Sequence, residues 1–119
     1  MSILVAVTET AEGRAALAAA GEEASLLGKE LVVLNVGLRR LPPQLLPAGV
    51  ELTVVERAGH HIDPAEVVLD YLEDNHDITR LVIGVKRRTP VGKAVFGSIS
   101  QRLLLDCSVP VLAVKTPPS

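Results

Sequence analysis

The residues with the clearest capacity for chemistry lie in a basic stretch bounded by two glycines in the second half of the chain. Gly84 follows a short apolar run, and Gly97 and Ser98 precede an apparent helix. Positive charges between the two glycines come from Lys86, Arg87, Arg88 and Lys93. Such a stretch is typical of a phosphate-binding loop, and it is equally typical of a solvated connection followed by an ordinary helix cap.

The phosphate interpretation depends on backbone amides. We expect Gly84 to let the chain turn sharply where a strand ends. Gly97, Ser98 and Ile99 then present amides at a helix N-terminus, where an exposed anion is favoured by about 0.3–1 kcal/mol. The Ser98 hydroxyl can cap the helix and still reach a phosphate oxygen.

Gly92 and Lys93 suggest a different phosphate motif, the P-loop. That motif requires a glycine where Arg87 stands, and a serine or threonine where Ala94 follows the lysine. The sequence therefore argues against a P-loop. No motif places a general base either, so we predict that the protein is not an enzyme, with slow ATP hydrolysis as an open alternative.

The remaining reactive side chains indicate no second site. His60 and His61 are adjacent in a predicted loop, and although His61 and Asp63 can share a cation, no third ligand is evident. We therefore expect no bound metal. His76 is expected to interact with the dipole at a helix end. No motif supplies a base to activate Cys107, which we expect to be buried and inert.

Composition limits the class of protein. The chain has 119 residues, 48% hydrophobic and 22% charged, with a net charge of −2, which predicts one domain over residues 1–119 and no nucleic-acid partner. The single cysteine fits a reducing compartment. We see no signal peptide and no run of roughly 18 apolar residues that would span a membrane, so we expect a cytoplasmic protein.

Apolar runs and helical patterns alternate along the chain. Predicted strands cover residues 3–7, 31–36, 50–55, 81–83 and 109–114. A helical stripe ends at Gly28, and further helices are predicted from Asp63 to about Asn75 and from just after Gly97 to near Asp106. Three prolines limit residues 37–49 to a loop with at most one helical turn, whose leucines cover one edge of the sheet.

This order predicts an α/β fold with one doubly wound, five-stranded parallel sheet in the order 3-2-1-4-5, with a shortened segment in place of a second helix. The half-polar third strand suits one edge. Crossovers reverse between the first and fourth strands, and ligands bind beyond the carboxyl ends of strands at such a switch point. Those ends carry Thr8, Glu9 and Thr10 together with the loop that begins at Gly84.

Nearly the whole chain resembles the universal stress protein family, whose domain is Rossmann-like. The family's nucleotide signature is a glycine, two residues, a glycine, nine residues, and a glycine followed by serine or threonine. Gly84, Arg87 and Gly97-Ser98 match that spacing, with arginine replacing the second glycine. The ending from Cys107 to Val114 also resembles the family's last turn and strand.

The resemblance implies a cytoplasmic stress-response or signalling protein that binds ATP or AMP, with or without Mg²⁺. It implies phosphate and ribose contacts for Gly84, Arg87, Gly97, Ser98 and Ile99. Thr8 and Val36 would lie near the nucleoside, with Val5 or Ala6 under the base. The chain departs from the family at Arg87, which either crowds the ligand or binds a phosphate, and at Thr8, where the family often has aspartate. The negative charge of Glu9 opposes phosphate binding unless an arginine pairs with it.

The apolar fifth strand, from Val109 to Val114, predicts association between chains. An unprotected apolar edge tends to pair with another strand, so we predict a homodimer through antiparallel pairing, an interface for which the family is known. Alternatively, residues 115–119 fold back and cover this edge. A second hypothesis for function follows, in which a dimer without nucleotide acts through protein contacts alone.

Overall fold

The computed structural model describes residues 1–56, 63–86 and 98–116. Five strands are present: β1 Ser2–Val7, β2 Glu30–Asn35, β3 Leu52–Glu56, β4 Ile78–Val85 and β5 Val111–Lys115. Three helices accompany them: α1 Ala11–Leu27, α2 Pro64–Asp74 and α3 Ser98–Asp106. The strands form one parallel sheet in the order β3-β2-β1-β4-β5. The predicted fold class and strand order are therefore confirmed.

The sheet is covered on both faces, which explains the continuous apolar runs of its inner strands. On one face, Ile3 and Val5 of β1 pack with Leu17 and Ala20 of α1. The opposite face packs Leu4 and residues of β2 and β4 against α2 and α3, whose buried contributions include Val68, Leu72 and Leu103. Among the described α-helices only α1 packs on its face of the sheet, and the loop that follows β2 adds to the cover there.

Residues 37–49 supply that cover. They contain a single turn of 3₁₀ helix, Pro43–Leu45, as the three prolines predicted. Leu41 and Leu45 pack against the α1-side cluster, which includes Leu31 and Val33 of β2. The segment thus performs the burial that a longer helix would otherwise provide.

Helix ends follow local capping chemistry. Asp63 accepts a hydrogen bond from the Ala65 amide at 3.0 Å, with Pro64 in the first turn of α2, as predicted. Gly28 ends α1 in the left-handed conformation, with φ 63°. The N-cap of α1 is Thr10, whose hydroxyl accepts from the Gly13 amide at 3.2 Å, and the sequence analysis did not identify it.

The observed strand limits differ from the predicted ones at the sheet's ends. The fourth strand extends from residue 78 to residue 85 and therefore includes Gly84. The fifth begins at Val111 rather than Val109, after Pro110, which has no amide hydrogen to donate. The Pro110 carbonyl accepts from the Leu81 amide at 2.9 Å. No helix in the described part of the chain is long and apolar enough to cross a membrane.

Candidate functional site

A cavity of about 330 Å³ opens at the carboxyl edge of the sheet, and residues from the ends of β1 and β4 and from the first turn of α3 line it. Its apolar wall consists of Ala6, Val36, Ile83, Ile99 and Leu103. Its polar wall consists of Thr8, Thr10, Glu12, Lys86, Ser98 and Ser100. This size lies within the range of about 300–1,000 Å³ that small-molecule sites occupy, and a mainly apolar lining with a few polar groups is typical of them.

Gly84 lines this cavity for a reason different from the predicted one. It lies inside β4, paired with Val114 of β5, and its φ is not positive. A β-carbon at this position would overlap the backbone carbonyl of Glu12 in the first turn of α1. The prediction that Gly84 turns the chain at a strand end is therefore wrong, because the glycine instead allows α1 to approach β4 closely.

Gly13 permits the same close approach from the helix side. A β-carbon there would lie 2.7 Å from Thr8 Oγ1 and 2.8 Å from the Thr8 amide nitrogen, which is closer than van der Waals contact allows. Gly13 and Gly84 together bring the start of α1 against the ends of β1 and β4. The cavity's back wall is therefore made of closely packed backbone.

Thr8 and Thr10 form a hydroxyl pair at the end of β1. Their Oγ1 atoms are 2.6 Å apart, and either can be the donor, while Thr10 Oγ1 also accepts from the Gly13 amide. The two hydroxyls carry two protons, of which one lies between them. The second proton remains available to an acceptor, so this neutral pair can donate one hydrogen bond into the cavity.

Glu9 does not place its charge in the cavity. Both of its carboxylate oxygens lie 3.2 Å from the Leu38 amide, which donates to them, and Glu9 is not among the residues that line the cavity. Among the described residues, its partner is thus a backbone amide after β2. The contact joins the turn after β1 to the turn after β2.

Asn35 holds the turn after β2 from its other side. This side chain is 1% exposed, and its amide nitrogen donates to the Arg39 carbonyl at 2.7 Å and to Glu56 Oε2 at 2.8 Å. Its oxygen accepts from the Gly37 amide at 3.0 Å. These bonds fix the residues that follow Val36, whose amide donates to the Val7 carbonyl at 2.9 Å, and so keep Val36 in the apolar wall.

The first turn of α3 forms the opposite wall. Ser98, Ile99 and Ser100 all line the cavity, and the Ser100 hydroxyl donates to the Gly84 carbonyl at 3.3 Å. That bond attaches the start of the helix to the end of β4. Amides in the first turn of a helix lack an acceptor within the helix itself, so this wall is suited to an anion.

The structure thus brings together five of the seven residues predicted for the site: Thr8, Val36, Gly84, Ser98 and Ile99. Arg87 and Gly97 lie outside the described residues, as do His60 and His61. Glu12, Gly13 and Ser100 also line the cavity and were not predicted to do so, and Thr10 and Lys86 were predicted only to lie near strand ends and in the basic stretch. Only three residues separate β1 from α1, and this short connection could have predicted that Glu12 and Gly13 lie at the strand ends.

Two minor predictions concern residues away from the cavity. Cys107 is half-buried rather than fully buried, because α3 ends just before it and leaves the connection to β5 at the surface. His76 is exposed just beyond the end of α2. In the described residues, no three His, Cys, Asp or Glu side chains lie close enough together to hold a metal ion.

Comparisons with known proteins agree on one family. The sequence profile of the universal stress protein family matches residues 44–115. A universal stress protein of Mycolicibacterium smegmatis is 34% identical over 128 residues, covering 95% of this chain and 96% of that protein. The structure of a universal stress protein from Archaeoglobus fulgidus is 26% identical, with a TM-score of 0.73 and coverage of 97% and 98%. A universal stress protein from Archaeoglobus fulgidus in complex with dAMP is 23% identical, with a TM-score of 0.68 and coverage of 97% and 98%.

Proposed function

The chain belongs to the universal stress protein family, and from this we propose that it binds an adenine nucleotide, ATP or AMP, in the cavity at the switch point. The observation that carries the proposal is the cavity itself. Its lining combines apolar side chains from the strand ends with the first turn of α3. A nucleotide has two parts that complement this lining: a base that packs against apolar side chains, and phosphates that accept hydrogen bonds from amides. The Archaeoglobus fulgidus relative that was solved with dAMP supports the choice of an adenine nucleotide.

The order of the strands suggests how the nucleotide lies. Along the carboxyl edge the order is β2, β1, β4, so a ligand crossing the switch point meets these strand ends in turn. We place the base beside Val36 and Ala6, and the sugar beside the hydroxyl pair of Thr8 and Thr10. The phosphates then lie at the first turn of α3, where a cation such as Lys86 offsets their charge.

Each phosphate contact has a proposed donor. The Ser98 and Ile99 amides point from the helix start, and Gly97 would add another amide to the same group. Lys86 also lines the cavity, and we propose that its ammonium binds a phosphate. We propose that Arg87 binds a phosphate as well, since a charge-assisted hydrogen bond contributes about 1.5–3 kcal/mol. No catalytic role is assigned to any residue, and the protein is proposed to act by binding, in stress response or signalling in the cytoplasm.

Calorimetric titration of the purified protein with ATP, AMP and cyclic AMP, with and without Mg²⁺, tests the proposal. We expect heat of binding, and a melting temperature that rises with nucleotide concentration because the ligand binds the folded state. Ala6→Leu, which fills the apolar wall, should abolish binding. The matched control Ala18→Leu adds the same bulk on the exposed face of α1 and should bind as the parent does. No heat and no thermal shift at millimolar nucleotide would contradict nucleotide binding.

Arg87→Gly distinguishes the two roles open to that arginine. If the guanidinium binds a phosphate, the variant should bind ATP about tenfold or more weakly. Tighter binding by the variant would mean that the arginine obstructs the site.

The edge strand β5 supports the proposed dimer, on which the second hypothesis, action through protein contacts alone, depends. In the described part of the chain β5 pairs with β4 alone, and its residues from Val111 to Val114 are half-buried in a single copy. Both hypotheses share this proposed dimer, and both treat residues 1–119 as one domain. The titration above separates them, because only the first requires a nucleotide.

A further inference from the structure

Helix α3 carries the proposed phosphate contacts yet has little apolar anchorage. It spans nine residues, of which only Leu103 is fully buried. Leu104 is 38% exposed and Leu105 is 75% exposed. A helix this short is not stable by itself in water. Its position over the cavity therefore depends on a small number of tertiary contacts.

Arg102 makes the main polar contacts between α3 and the rest of the protein. Its Nη1 lies 2.9 Å from Asp63 Oδ2 and its Nη2 binds Glu66 Oε1, both at the start of α2. Its Nε lies 3.6 Å from Asp106 Oδ2 within α3. The hydrogen bond to Glu66 raises the pKa of Arg102 above its ordinary value, so the cation remains charged.

These contacts join the start of α2 to the middle of α3. Asp63 caps α2 through Oδ1 and receives Arg102 on Oδ2, so one carboxylate serves both functions. Arg102 lies one turn beyond Ser98 and does not line the cavity. It is therefore placed to fix the helix that carries the cavity's amides without touching a ligand.

We propose that Arg102 is a positioning residue for nucleotide binding, which holds the first turn of α3 over the cavity through Asp63 and Glu66. The inference rests on the proposed function of the cavity. A purely structural ion pair would change thermal stability alone. A positioning residue also changes affinity at temperatures where every variant is fully folded.

The test compares ATP affinity in Arg102→Met and in the matched control Arg80→Met. Arg80 forms the other ion pair of the described chain, at 2.7 Å from Glu23, with a side chain 38% exposed against 37% for Arg102. Exposed pairs are individually weak, so losing this network should weaken ATP binding about three- to tenfold. Arg80→Met should bind ATP within about twofold of the parent, because Glu23 lies on α1, away from α3.

A milder variant keeps the test usable if Arg102→Met folds poorly. Asp63→Asn retains a good N-cap for α2 while removing one charge that faces Arg102. It should weaken ATP binding by a smaller factor than Arg102→Met does. Amide hydrogen exchange in α3 should accelerate in Arg102→Met and in Asp63→Asn, and not in Arg80→Met.

The outcomes separate the two proposals. Equal ATP affinity in the parent, in Arg102→Met and in Asp63→Asn overturns the positioning role and leaves nucleotide binding intact. Absence of ATP binding by the parent removes the proposed function, and this inference with it.

Discussion

At the residue scale, two glycines are required for opposite physical reasons. Gly84 has an ordinary backbone conformation, but its missing side chain makes room for the Glu12 carbonyl. Gly49 has open space around it and a φ of 79°, a conformation that side chains rarely adopt. One position therefore excludes alanine by packing and the other by backbone conformation.

This difference predicts unequal effects of the same substitution. Gly84→Ala should lower the free energy of unfolding by about 3 kcal/mol, because neither β4 nor the first turn of α1 can move without breaking backbone hydrogen bonds. Gly49→Ala should lower it by about 1 kcal/mol, the strain of a left-handed residue. Urea denaturation followed by circular dichroism measures both. Equal losses would show that the approach of α1 to β4 tolerates a methyl group.

At the element scale, the site depends on turns that are held by distant parts of the chain. Glu9 and Asn35 both bind the turn after β2. Glu9 accepts from the Leu38 amide, and Asn35 accepts from the Gly37 amide. Asn35 also reaches Glu56 at the end of β3. The ends of three neighbouring strands are thereby fixed together, and Val36 is kept at the cavity.

Removing the Asn35 amide should destabilise the protein strongly. Asn35→Ala leaves the Gly37 amide and the Arg39 carbonyl without their partner, and a lost buried partner costs about 1–3 kcal/mol. We therefore expect the free energy of unfolding to fall by an amount near the upper value. ATP binding should also weaken, because Val36 is no longer held at the cavity. Asn75→Ala serves as the control, since that half-buried side chain donates one bond, to the Tyr71 carbonyl at 2.9 Å, and should cost about 1 kcal/mol. A loss for Asn35→Ala no larger than the control's would rule out the described role of this network.

At the scale of the whole molecule, the orientation of β5 decides which backbone groups are open to a partner. The Leu81 amide donates to the Pro110 carbonyl, while Leu81 pairs with Val111. In a parallel ladder this arrangement turns the Leu112 amide towards β4 and the Ala113 amide outwards. The outer edge of β5 therefore presents Ala113 to the proposed antiparallel partner.

The dimer is tested by prolines placed on the two sides of this strand. Ala113→Pro removes an outward amide and should convert a dimer into a folded monomer, because edge strands tolerate proline on their free side. Leu112→Pro removes a bond to β4 and should instead lower the melting temperature. Sedimentation at micromolar concentration measures the mass of each variant, and a parent protein that sediments as a monomer would refute the dimer.

Much of this molecule follows from local features of the sequence. Buried strands appear as continuous apolar runs because both faces of a central parallel strand are covered, and caps such as Asp63 appear because they bind amides only two or three residues away. Together with the order of the elements, those signals predicted the sheet order and four residues of the candidate site, Thr8, Gly84, Ser98 and Ile99, whereas Val36 was predicted only through the resemblance to the family. Each of these signals involves residues close together in the chain, so it can be identified from one sequence.

The remaining features were decided by tertiary structure, because each joins residues far apart in the chain. A β-carbon on Gly84 would meet the backbone of Glu12, and Arg102 of α3 binds the Glu66 carboxylate of α2. Glu9 turns away from the cavity because the Leu38 amide lies within its reach. Nothing in the neighbouring sequence of these residues specifies their partners, which only the packing of α1, α2 and α3 around the sheet brings into contact.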